Sequence, residues 1–373
     1  MRLSFLEPLY AERGPFTSVY LDTSRDVDDP ERAIALRWRR LHERLARQGA
    51  DQESLAAVEE VVGADAEVPG LHGQAIFTAH GSLVLDDELP SPPAYDVARY
   101  GLLPDAMPLV TQHVPEIPYL AVVVHYRGLP TADAQGNVTV AAEAGRWPAS
   151  HVAPGERLRR RVPVAEWHAA AVRLGRELGA RVGRGGADAV VVGGDEWAGN
   201  VLIRRLPREL RDRVVRVGGP TPADTARALL EPQVASVLRG RMAAHDRALV
   251  GSFLARRGRG GATTAEGLAD TVAALQRGQV TALLLHPPGP WQPADLLWIG
   301  PGPAQLALSE EELLSFGVRS PRRERADEAL VRAVVGTGAE LVVVPEGQLP
   351  LRDGVGALLR YTDAATPGAG RQR

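Results

Sequence analysis

The chain has no cysteine among its 373 residues, which excludes disulfides, thiolate metal sites and cysteine nucleophiles together. It has no lysine either, so all 43 basic residues are arginine and a P-loop of the usual GxxxxGK[ST] form cannot be built. Codon bias in a GC-rich genome would leave the same gap, so bidentate arginine chemistry is not inferred from this preference alone. No apolar run approaches ~18 residues, and the opening MRLSFLEPLYAERG has no basic region leading into an apolar core. Neither secretion nor membrane insertion is expected, and a cytoplasmic location is. Serine is scarce and forms no GxSxG elbow, and the 9 histidines include no HxxxH or HExxH pair. Glycine pairs such as Gly193-Gly194 and Gly218-Gly219 match no GxGxxG fingerprint and are taken as turns. No metal site and no cofactor is expected.

What is present is 45% hydrophobic and 24% charged residues, enough for packed cores under a polar surface. The length exceeds one ordinary domain, and breaks in pattern suggest three: 1–118, 119–232 and 233–373. The first holds 10 Arg against 20 Asp and Glu, the second 17 against 12, the third 16 against 14. An acidic head on a basic body favours phosphate at the middle and repels it at the front.

Hydrophobic periodicity places elements along this frame. Asp28-Asp29-Pro30 leads a helix through Ile34, Leu36, Trp38, Leu41 and Leu45, and a second helix covers 52–62. GQAIFTAHG and SLVLDDEL predict two strands turning at Gly81, followed by a proline-rich irregular path to the next domain. YLAVVVHY is a buried strand, a hairpin turns near Gly136-Asn137, and 164–181 is helical. ADAVVVGGDE is another buried strand, and helix and strand then alternate. A long helix over 225–257, a helix over 265–277, strands at TALLLHP and ELVVVPE, a helix over 326–336 and a closing GVGALLRY complete the pattern. The expected class is α/β, three domains, each a mixed sheet with packed helices.

Residues 144–162, AGRWPASHVAPGERLRRRV, predict an arginine-rich, proline-broken loop before a helix. Arg157, Arg159, Arg160 and Arg161 fall within five positions, a charge density suited to phosphate. A solvated basic face is the equally weighted alternative. Trp147 and His151 beside it offer rings for stacking on a base, although Trp147 also suits a local packing anchor.

The last segment carries a more distinctive pattern, GRGGATTAEGLADTVAALQRGQVTALLLH followed later by ELVVVPEGQ and GVGALLRY. It resembles the C-terminal domain of archaeal and eukaryotic class-1 release factors and of Pelota. The matching residues are Gly260, Gly261, Gly267, Leu268, Ala274, Leu275, Gly278, Gly354, Gly356, Leu358, Leu359, Arg360 and Tyr361. The order YLAVVVHY, VVVGGDE and the helix after Thr221 is similar to the central domain of the same factors. The group includes the ribosome-hibernation factor Balon and is related to Vms-type peptidyl-tRNA hydrolases. The resemblance implies a release-factor-like architecture, with the ribosome as partner through rRNA at the acceptor site and elongation factor Tu as a further candidate.

The chain departs from release factors at their Gly-Gly-Gln tip. The loop that corresponds to it here, 146–161, holds Pro154-Gly155-Glu156, and Gly73-Gln74, Gly278-Gln279 and Gly347-Gln348 lie in other domains. An ionised glutamate beside RNA phosphates disfavours both binding and the orientation of water. The resemblance therefore implies a non-catalytic ribosome-binding factor, with no catalytic residue. Arg146, Trp147, His151, Arg157, Arg159, Arg160 and Arg161 would contact RNA. The alternatives are a peptidyl-tRNA hydrolase or RNA-cleaving enzyme using Glu156 or His151, and a scaffold using the acidic first domain.

Overall fold

A computed structural model describes residues 1–66, 71–113, 117–128, 136–147, 157–182, 186–218, 234, 237–238, 241–259, 263–287, 296–345 and 347–362. In the first segment a short helix α1 (Glu7–Ala11) precedes β1 (Phe16–Asp22). Helix α2 (Pro30–Gln48) begins where the Asp29 carboxylate accepts from the Arg32 amide at 3.2 Å, with Pro30 in the first turn. Ile34, Trp38, Leu41 and Leu45 share its buried face, while Leu36 falls on the other side and is exposed. Helix α3 (Gln52–Val61) follows, then β2 (Gly73–Ala79) and β3 (Ser82–Leu89) on either side of Gly81. The stretch expected to be irregular instead contains β4 (Val97–Gly101) and α4 (Met107–His113). Antiparallel pairing with β1, from Tyr20↔Val97 to Phe16↔Gly101, supplies the hydrogen bonds that local composition does not advertise.

The central segment is a five-stranded sheet of order β7-β6-β5-β8-β9. Strands β5 (Ile117–Gly128) and β6 (Gly136–Trp147) pair antiparallel along their full lengths. Gly136 and Asn137 lie inside β6, so the hairpin connection falls before them and not at them. The predicted arginine loop is also corrected at both ends. Its first residues close β6 and its arginines form a strand, β7 (Arg157–Pro163), paired antiparallel with β6. Among the described residues β7 lies at the sheet edge, with no strand paired on its outer flank, a position where charged side chains are tolerated. Pro154, Gly155, Glu156 and His151 lie outside the described residues. Helix α5 (Trp167–Arg181), β8 (Ala189–Gly194), α6 (Glu196–Ile203), α7 (Arg208–Arg211) and β9 (Val214–Arg216) follow, with β8 parallel to both β5 and β9.

The long helix expected over 225–257 is interrupted, since 241–243 are not helical and α8 (Ala244–Gly258) begins after them. Next come β10 (Thr264–Glu266), α9 (Leu268–Gln276), β11 (Val280–Leu285), β12 (Leu296–Ile299), β13 (Leu306–Ala307), α10 (Glu310–Ser315), β14 (Arg322–Arg325), α11 (Ala326–Thr337), β15 (Glu340–Val343) and β16 (Val355–Leu359). β10-β16-β11-β15 form one sheet and β13-β12-β14 a small second one.

The chain divides into two compact units, 115–244 and the two flanking segments 1–114 and 245–373 taken together. The flanking segments were expected as separate domains with boundaries at 118/119 and 232/233. They share one hydrophobic core, in which Leu9 of α1 and Met107 and Leu109 of α4 join residues of the last segment. Val19 and Leu21 pack under α2 and α3, whereas Phe16 and Tyr20 belong to a cluster that includes Leu330 and Val334 of α11.

Candidate nucleic-acid interface

Side chains alternate across a strand, so the register of the central sheet decides which arginines act together. Leu120, Val122 and Val124 of β5, Val138, Val140 and Ala142 of β6 and Leu158 of β7 face α5 and α6, packing on Trp167, Ala170, Leu174 and Leu178. Arg160 is opposite Val140 and so belongs to this helix-covered side. Its guanidinium donates to Glu177 Oε1 at 3.3 Å, and Arg181 donates to the same oxygen at 3.3 Å. Two guanidinium groups thus share one carboxylate on this side of the sheet.

The opposite face carries the remaining pairings. Arg159 is opposite Ala141, which is opposite Val123, and Arg161 is opposite Thr139, which is opposite His125. Arg127 pairs with Asn137 one row further on. Arg127, Arg159 and Arg161 are all exposed. Arg159 and Arg161 stand about 6.8 Å apart along the strand. Near the middle of the sheet the same face is covered, since Ile117, Ala121, Val123, Ala189 and Val191 pack with Val234 and Leu238. The cationic row is therefore confined to the β7 edge and the far end of β5.

The other expected contacts fall as follows. Arg157 is opposite Glu143 and Arg146 is opposite Pro118 by backbone register, and their side chains lie outside the described residues. Trp147 is half-buried, packed against the cluster around Ile117 and Val123. His151 lies outside the described residues. The strand alternation thus separates Arg160 from Arg159 and Arg161, which sequence adjacency had grouped as one patch.

Two neighbours were missed in the sequence. Arg127 joins the cationic face, and the signal for it was the period-two alternation of YLAVVVHYRG, which places His125 and Arg127 together. Burial, and then the charge of Arg127, lower the His125 imidazole below its ordinary value, with Asp195 pulling the other way. That histidine is thereby favoured in its neutral form among the arginines. Among the described residues no group of three or more His, Asp or Glu is arranged to hold a metal ion, and no helix is long and apolar enough to cross a membrane.

Over its whole length the chain is 28% identical to an uncharacterized protein of Mycobacterium tuberculosis, in an alignment of 388 residues covering 100% of both. Among solved structures it is similar to Pelota of Archaeoglobus fulgidus, at 15% identity over 78% of this chain and 80% of that one, with a TM-score of 0.40. It is also similar to Dom34 of S. cerevisiae, at 11% identity over 83% of this chain and 79% of that one, with a TM-score of 0.36. Residues 118–259, the stretch that carries the cationic strand, match the family described as bacterial archaeo-eukaryotic release factor family 2, so this part of the chain is release-factor-like.

Proposed function

We propose that the protein is a ribosome-binding factor of the release-factor type, seating its central unit on rRNA and releasing no peptide. The observation that carries this reading is the exposed row of Arg159 and Arg161 on one strand face, joined by Arg127, within the family-matched segment. Cations on a rigid strand hold phosphates at a fixed spacing without the entropy cost of ordering a loop. The finer reading is occupancy of the tRNA-acceptor site during slow growth or stress, as a Balon-like hibernation factor, with elongation factor Tu as a candidate partner. The absence of Gly-Gly-Gln from the whole sequence supports binding without peptidyl-tRNA hydrolysis. The net charge of −10 over 1–118 would turn that part away from phosphate.

The test is co-sedimentation with purified ribosomes over a range of salt. Wild-type protein is expected in the ribosomal pellet at moderate salt, and the double variant Arg159→Glu, Arg161→Glu in the supernatant. Peptidyl-tRNA on the same ribosomes should stay intact. Failure of the wild type to co-sediment overturns the reading, and release of free peptide overturns its non-catalytic part.

A further inference from the structure

Trp197 is 46% exposed, while Trp38 and Trp167 are buried and the remaining described tryptophans are at most half-buried. It stands in the first turn of α6, and its ring does not stand alone. Tyr126 at the end of β5 meets it edge-on with ring centroids 6.0 Å apart and planes at 70°; His168 in the first turn of α5 does the same at 6.2 Å and 81°. Tyr126 is itself 39% exposed, and His168 is exposed.

The three rings come from three elements that meet at one end of the central sheet. β5 and β8 run parallel, so Tyr126 and the start of α6 lie at their carboxyl ends, where open α/β sheets take ligands. β7 runs antiparallel to β6 and delivers the start of α5 to the same end. The group is held from beneath. Trp167, fully buried, precedes His168 and donates its indole Nε1 to the carbonyl of Ala198 at 3.2 Å, one residue beyond Trp197. That bond ties the first turns of α5 and α6 together. The Asp195 carboxylate accepts from the Ala198 amide at 2.8 Å and fixes where α6 begins.

We infer that Tyr126, Trp197 and His168 form a stacking platform for one unpaired RNA base. The inference rests on the RNA-binding reading above and adds the kind of contact that arginines spaced for phosphate do not make. An edge-to-face contact takes at most one face of a ring, so Tyr126 and His168, with one such contact each, keep a face out of it, and Trp197 between them remains 46% exposed. A platform fixed before binding loses little side-chain entropy when that partner arrives. Charge selects the occupant. Exposed Arg127 follows Tyr126 in the chain on the opposite sheet face, and the Glu196 carboxylate beside Trp197 lies 3.8 Å from the Arg216 guanidinium, which offsets its charge. An RNA strand rounding this end of the sheet meets a cation for its phosphate and a ring for its base in succession.

The test titrates the full-length protein with an eight-nucleotide oligoadenylate at low salt, following tryptophan fluorescence and affinity. Wild type is expected to show quenching on binding, and Trp197→Leu to lose it. Affinity should fall roughly 5- to 150-fold in that variant. The slope of log K against log salt should stay unchanged, because no phosphate contact is removed. Trp197→Phe, which keeps a ring, should retain most of the affinity, and Tyr126→Leu should lose part of it; these two keep the comparison usable if Trp197→Leu melts early. Arg159→Glu with Arg161→Glu should do the reverse, lowering the salt slope while quenching persists at saturating RNA. Wild-type binding without quenching, and with unchanged affinity in Trp197→Leu, overturns the platform and leaves the arginine reading standing. No binding of RNA or ribosomes by wild type overturns both.

Discussion

The Arg160 guanidinium lies 3.3 Å from the Glu177 carboxylate, on the helix-covered side of the central sheet. Its neighbours in sequence, Arg159 and Arg161, point the other way. An exposed pair of this kind contributes about 0–1 kcal/mol, so its value lies less in stability than in removing one charge from the binding face. Arg160→Gln is expected to bind ribosomes within about twofold of wild type, whereas Arg161→Gln should weaken binding several-fold and lower the salt slope by roughly 1. Ribosome co-sedimentation over a salt series measures both, and equal losses would contradict the division of faces.

Glu328 on α11 is fully buried and lies 2.5 Å from Arg99 on β4. Burial pushes its carboxyl up, Arg99 pulls it back, and the carboxylates of Asp105 and Asp327 push it up further, to about 9. This folded value lies above the ~4.3 of an unfolded glutamate, so the native chain holds the proton more tightly. The contribution is full below about pH 4 and is lost as pH rises through about 9. Thermal melts from pH 5 to pH 9 are expected to show Tm falling with pH in wild type, and falling less in Glu328→Gln. Identical slopes would show that this group does not set the dependence.

Gly194 closes β8 at φ +97°, and a Cβ there would sit 2.1 Å from the Val124 carbonyl oxygen. That same oxygen accepts from the Asp195 amide at 2.6 Å, so the backbone cannot move away without losing the bond. Gly194→Ala is expected to destabilise the central unit by ~3 kcal/mol, from backbone strain and overpacking together. Urea denaturation followed by circular dichroism checks it.

Trp167→Phe removes the indole donor to Ala198 while leaving most of the buried ring volume. The expected cost is about 1–3 kcal/mol, from the lost hydrogen bond and the small void. Denaturant midpoints measure the loss. A larger steady-state mobility of Trp197 by fluorescence anisotropy is expected alongside it, because the tie between the first turns of α5 and α6 is gone.

Local signals carried far in this chain. Asp29, Pro30 and the spacing of Ile34, Trp38, Leu41 and Leu45 predicted α2, because caps and periodic apolar faces are energies set within a few residues. YLAVVVHY and ADAVVVGGDE read as buried strands for the same reason. β4 was hidden, since residues 91–109 are proline-rich and only pairing with β1 makes Val97–Gly101 a strand. The composition of the arginine run favours a loop, whereas an edge position beside β6 makes it β7.

The sequence by itself determined the α/β class, the exclusion of thiol chemistry, the lack of a Gly-Gly-Gln tip and the concentration of arginine near 157–161. Only the tertiary structure decided which of those arginines share a face, that Arg127 joins them, and that Tyr126, Trp197 and His168 meet. The reason is physical. Helix caps and hydrophobic periods act over a few residues, whereas sheet register, and with it the direction of every side chain, is set by pairing between segments far apart in the chain.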